Sequence, residues 1–155
     1  MRIGASINRS CIVMLSALLQ GHVDSVFRLC APIAFPEFSR TNDPFATFLE
    51  QARKAGNPSP SNITALFRRI GVPDVMADLT WRRGRSHTIS NAVIVSVLDE
   101  INQVRNRIAH SLPLTFNGAP YFLTLRDVKR LRNIVEGFGQ HFEDHARAKV
   151  ASSRI

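Results

Sequence analysis

The chain has 155 residues, 45% of them apolar, which suits one globular unit with a real core. Twenty Lys plus Arg against twelve Asp plus Glu leave a net charge of +8, favouring a polyanionic partner, and nucleic acid leads that class. Two cysteines exclude a disulfide scaffold or a cysteine-rich metal module.

The spacing of Ile7, Cys11, Met14, Leu15, Leu18, Val23, Val26 and Leu29 predicts a long amphipathic helix from about Ser6 to Cys30, ended by Pro32. Cys11 and Cys30 then stand about 28 Å apart along one helix and cannot bridge, which fits a reducing, cytoplasmic setting. The basic start and apolar run superficially resemble a signal peptide. Asn8, Arg9, Ser10, Gln20 and His22 interrupt the run, and the expectation is a structural helix with no membrane span. Asp43-Pro44 begins a second helix through "FATFLEQARKAG". After the break "GNPSP", Ser61 caps a short helix "NITALFRRIG" that Gly71 closes, and Pro73 opens a further helical turn. "WRRGRSH", Trp81 to His87, reads as a basic loop.

The next long helix, Ile89 to Ser111, buries a stripe of Val93, Val97, Ile101, Val104 and Ile108, edged by Ile94 and Leu98, and stops at Pro113. Residues 114 to 123 hold an Asn117-Gly118 turn between two short β-prone runs, which allows a small hairpin. Thr124 caps a last helix with Asp127 in its first turn. Leu125, Val128, Leu131, Val135, Phe138 and Phe142 lie on its buried side. One all-α domain over residues 1–146 follows, with three long helices, one or two short ones, and a fraying polar tail at 147–155.

Chemistry concentrates in "EINQVRNRIAHSLP", Glu100 to Pro113. At about 100° per residue, Asn106 and His110 lie nearly opposite the apolar stripe, with Arg105 and Arg107 flanking it. His110 therefore faces away from its own core, toward water or a partner molecule. Basic and polar groups at a helix C-terminus also have an ordinary role in meeting the macrodipole and capping carbonyls.

The string "RNRIAH" resembles the R-x4-H signature of the HEPN superfamily of small helical bundles, many of which are metal-independent ribonucleases or inactive relatives of them. "SALLQGHVDSVF" is similar to that family's first helix, and "NITALFRRIGVPDVMADLTW" resembles the middle region of the RiboL-PSP type, so the likeness spans roughly residues 6 to 145. Two positions depart from the pattern: Ser111 stands where glycine commonly follows the histidine, and Gln20 where many relatives carry an acid. The resemblance implies a HEPN-like bundle, a cytoplasmic RNA-cleaving enzyme of defence or toxin type, and a homodimer with a composite site. It also leaves room for restraint by an antitoxin or a larger defence complex.

The residue chemistry agrees with that expectation. RNA carries its own nucleophile in the 2′-hydroxyl, so the protein need only move protons and neutralise charge. A histidine titrates near neutrality and serves as general acid or base, and an arginine holds a phosphate through two parallel hydrogen bonds. His110 takes proton transfer, Arg105 the phosphate, Asn106 the orientation of histidine or substrate, and Arg107 a further phosphate or an interface. Arg105 and His110 lie about 140° apart around one helix, which a dimer with facing helices overcomes.

Arg82, Arg83 and Arg85 with Trp81 could hold single-stranded RNA, although Trp81 is equally a core anchor. His141 and His145 in "HFEDH" have two-ligand spacing without a third ligand, so no metal or other cofactor is expected, and the default is a solvated helix end. Arg68, Arg69, Lys129, Arg130 and Arg132 read as solvated charge. Two further readings stand beside the ribonuclease: an inactive HEPN-like RNA-binding or assembly module, and an all-α DNA-binding domain, for which no helix-turn-helix stands out.

Overall fold

In the computed structural model, which describes residues 3–36, 46–48, 50 and 56–153, helix α1 (Ile3–Ala34) lies along α4 (Leu125–Ser152) and against α3 (Asn91–Ala109). The short α2 (Pro60–Arg68) packs on α1 and α3. Two small antiparallel hairpins complete the all-α bundle: β1 (Trp81–Arg83) with β2 (His87–Ile89), and β3 (Thr115–Phe116) with β4 (Ala119–Pro120). Most of the expected second helix lies outside the described residues; Ala46 to Phe48 and Glu50 are helical.

α1 supplies the central layer of the core. Ile12, Leu19, Val23, Val26 and Cys30 are buried along one face, and burial pushes the Cys30 thiol up to about 11. By length and composition α1 is apolar enough to cross a membrane, but this inner face is occupied by the bundle. Ile7, Met14 and Leu18, expected inside, are exposed; Leu15, Val23 and Val26 are buried as expected, and Ile12 and Leu19, not expected there, complete the stripe. The helix also runs two residues past Pro32, since a proline in the last turn forfeits only one backbone bond.

α2 begins two residues earlier than expected. Ser59, not Ser61, is the cap, its hydroxyl accepting from the Asn62 N–H at 3.2 Å, because Pro60 is pre-set for the first helical position and needs no donor there. Residues 73–78 form consecutive turns instead of a helix. The basic segment is a hairpin and not a loop: Gly84 at φ 68° makes the turn, and Trp81 pairs with Ile89 so that both face the core. Arg82, Arg83 and Arg85 stay exposed around it.

In α3, Val97, Ile101 and Val104 are buried as expected, while Ile108 is half-buried and Val93 is exposed. Ile94 and Leu98, expected at the edge, are completely buried, so the stripe is turned toward them. The Asn117-Gly118 turn forms as read, both residues with positive φ (48° and 81°), between Phe116 and its partner Ala119. Thr124 and Asp127 make a reciprocal capping box at the start of α4. Leu125 proves exposed, and the helix continues to Ser152 without fraying at Ala146, because Val150 is buried against the bundle. Phe138 and Phe142 stack at 4.4 Å beneath Phe67, filling the centre.

Candidate functional site

The last two turns of α3 carry the site. Ser90 caps the helix at one end, its hydroxyl accepting from the Val93 N–H. At the other, His110 is the C-cap, and Ser111 follows at φ 53°. The Ser111 N–H donates to the Ile108 carbonyl at 3.1 Å and the Leu112 N–H to the Arg107 carbonyl at 2.9 Å. These two bonds and the left-handed residue between them make a Schellman cap. It satisfies the carbonyls that basic side chains would otherwise meet, so the side chains of Arg107 and His110 are not needed to finish the helix. His110 is exposed, as expected of a residue turned away from its own core.

A cleft of about 280 Å³ opens beside it, bounded by Gln103, Asn106, Arg107 and His110 on α3 and by Leu112, Thr115 and Gly118 beyond it. One chain thus brings Asn106, Arg107 and His110 together. Arg105 lies outside this cleft and reaches it only through a neighbour, its Nη1 donating to Asn106 Oδ1 at 3.2 Å. Asn57, from the segment before α2, donates Nδ2–H to the same Oδ1 at 2.8 Å. An arginine can only donate, so Oδ1 of Asn106 must face Arg105, Asn57 must donate as well, and the Asn106 amide NH2 is left for the other side. Asn57 is held in turn by Asn62, whose Nδ2 donates to the Asn57 carbonyl at 2.8 Å, and by the Ser59 N–H at 2.8 Å.

The opposite wall is fixed with equal care. Gln103 and Asn117 exchange two hydrogen bonds of 3.3 Å, clamping the β3–β4 turn onto α3. Below it, Glu100 is 4% exposed, and its Oε1 accepts from the Tyr121 hydroxyl and from Arg130 Nη2, each at 2.5 Å. Burial, then the hydrogen bond and charge of Glu100, push the Tyr121 phenol well above its ordinary range. Arg130 loses charge stability to burial but regains more from Glu100 and stays firmly cationic. Arg130 is therefore a buried carboxylate's partner and not idle surface charge. Burial also raises the Asp99 carboxyl on the polar face of α3.

The other expected residues fall elsewhere. Trp81 is the anchor and not a stacking platform: it is 7% exposed, stacks on His141 at 5.3 Å, and lies so close to Gly137 that an added Cβ would meet its ring at 2.6 Å. Arg82, Arg83 and Arg85 flank it at the N-terminal end of α3, about 27 Å of helical rise from His110. Arg82 also bonds within its own hairpin, to the Arg85 carbonyl at 2.7 Å. His141 and His145 do not form a solvated helix end. Nδ1 of His141 contacts the Gly137 carbonyl one turn back in α4 at 2.8 Å, and Nε2 of His145 contacts the Val75 carbonyl at 3.0 Å, tying α4 to the turns at 73–78. No group of three or more His, Cys, Asp or Glu with metal-binding geometry occurs among the described residues.

Sequence reasoning missed Asn57, Glu100 and Tyr121 as parts of this site. Asn57 is 49 residues from its partner, and only the polar residue at a stripe edge, Glu100, carried any signal. Gln20, on α1, donates to Asp24 Oδ1 at 3.2 Å, so a carboxylate stands one turn beyond the departing position.

A family model described as RiboL-PSP-HEPN matches residues 35–148, which take in α2, both hairpins, α3 and most of α4. No curated protein and no solved structure matches the chain.

Proposed function

Because this chain belongs to the RiboL-PSP-HEPN family, we propose that the C-terminal end of α3 is the site of a metal-independent endoribonuclease, working in the cytoplasm in a defence or toxin-like role. Family membership supports a nuclease or RNA-related function, and the observation that carries the finer reading is the cleft gathering Asn106, Arg107 and His110.

The reaction uses the RNA 2′-hydroxyl as nucleophile. It attacks the adjacent phosphorus, the bond to the 5′-oxygen breaks, and the products are a 2′,3′-cyclic phosphate and a 5′-hydroxyl. His110, exposed at the helix cap, takes the 2′-hydroxyl proton or supplies one to the leaving 5′-oxygen. The two roles need two acid–base groups, which a homodimer provides by presenting His110 from each chain to a shared cleft. Arg107 holds a phosphate oxygen in the cleft, and Arg105 contributes charge across the interface while fixing Asn106. The amide NH2 of Asn106 orients the substrate oxygen or the imidazole. RNA is the substrate, and an antitoxin or larger defence complex restrains the enzyme.

The test is a comparison of RNA cleavage rates, with light scattering on the same samples. His110→Ala should lose about 10²- to 10⁴-fold and Arg105→Ala about 10²- to 10³-fold, with folding intact. The protein should scatter as a dimer. RNA binding without cleavage, and with His110→Ala indistinguishable from wild type, would replace this reading with an inactive RNA-binding or assembly module.

A further inference from the structure

We infer that the groove between the first turns of α1 and the segment leading into α4 is a subsite for one base and its phosphate in single-stranded RNA, on the far side of the β3–β4 hairpin from His110. The inference takes the identity of the polymer from the proposed function, but it does not require cleavage.

The groove encloses about 530 Å³, and its walls include Ala5 and Arg9 of α1 with Pro113, Pro120, Tyr121 and Phe122. It is a built feature. Asn8 Nδ2 donates to the Leu123 carbonyl at 3.1 Å, pinning α1 to the opposite wall, and the Tyr121 ring is fixed through its hydroxyl to buried Glu100. Phe122 is 84% exposed, and no other phenylalanine, tyrosine or tryptophan among the described residues is exposed. An uncovered aromatic ring, Phe122, next to the fixed ring of Tyr121 and a cationic side chain, Arg9, is an arrangement that suits an unpaired base and its phosphate. Arg9 is the charged residue of the lining, and no carboxylate shares it.

Position ties the groove to the cleft. Pro113 lies three residues beyond His110, at most about 11 Å of extended chain. Leu114 lines the groove while the adjacent Thr115 lines the cleft, so the hairpin is a wall common to both. A strand with its scissile phosphate at His110 has the groove within reach of a neighbouring nucleotide. A second copy of the chain fits less well, since a twofold contact centred here would bring Arg9 against Arg9.

The experiment titrates the full chain with a fluorescein-labelled, fully 2′-O-methylated hexanucleotide, which lacks the attacking hydroxyl and cannot be cut. Phe122→Ala should weaken binding about 5- to 100-fold, the worth of one stacked base, and Phe122→Tyr should restore it. Arg9→Gln should reduce the slope of log affinity against log salt by about 0.7. Unchanged affinity in Phe122→Ala overturns the inference. So does a change from dimer to monomer in that variant, which would assign the face to contact between copies. Phe122-dependent binding by a protein that never cleaves RNA would sink the ribonuclease reading and leave the subsite standing.

Discussion

Replacing Ser111 by glycine should stabilise the protein, against the general tendency of substitutions to destabilise. Ser111 holds φ 53° because the cap that ends α3 requires a left-handed residue there. A Cβ in that region costs about 1 kcal/mol or more, whereas glycine adopts it freely. Glycine also raises the entropy of the unfolded chain, which returns about 0.4–1 kcal/mol of the gain. The net expectation is about 0.5–1 kcal/mol, or roughly 1–4 °C in the melting midpoint of a chain this size. The assay is thermal unfolding followed by circular dichroism, with RNA cleavage measured on the same sample and expected within about twofold of wild type. Ser111→Val should move the midpoint in the opposite direction, since a β-branched residue is least tolerant of positive φ. A midpoint that falls in Ser111→Gly would refute the reading of this residue as a strained cap.

Tyr121→Phe removes a donor from buried Glu100 and should cost about 1–3 kcal/mol in urea unfolding, with Glu100→Gln largely suppressing that cost in a double-mutant cycle. Gly137→Ala drives a Cβ into the Trp81 ring and should destabilise by about 1–3 kcal/mol, with a shift in the emission of the single tryptophan; an unshifted spectrum and an unchanged midpoint would contradict the packing described. Burial depresses the His22 imidazole, which meets Phe138 and Phe142 edge-on, while Glu143 opposes the shift in part. Burial and Lys149 likewise lower His145. Both groups bind protons more readily when unfolded, so their contribution is complete above the ordinary histidine value of about 6.5 and is lost as pH falls below it. The melting midpoint should therefore drop between pH 7.5 and 5.5, and less so in His22→Leu.

Local rules carried the reading of the sequence furthest. The Thr124–Asp127 capping box, the Asn117-Gly118 turn and the exposure of His110 depend on a few adjacent residues and a helical period, and each is present. Where tertiary packing decides, the sequence was silent. Val93 and Ile94 are neighbours of nearly equal hydrophobicity, and only the positions of the other helices determine which one is buried. α1 has apolar residues on two faces, so its period alone could not choose between Met14 and Leu15. Arg130 looked like solvated charge because its partner, Glu100, is thirty residues away. The site divides in the same way. Asn106, Arg107 and His110 could be read from one helix, whereas the Asn57 amide that fixes Asn106 and the hairpin that walls the cleft arise from distant segments.

The most direct measurement follows end groups. Purified wild-type protein and His110→Ala are incubated in EDTA with an RNA oligonucleotide and with the same oligonucleotide carrying a single 2′-deoxy substitution at the cleavage position. The account predicts fragments ending in 2′,3′-cyclic phosphate and 5′-hydroxyl from wild type, about 10²- to 10⁴-fold less from His110→Ala, and no cut at the deoxy position. Cleavage that stops on adding EDTA, proceeds at the deoxy position, or is unaffected by loss of His110 would contradict it.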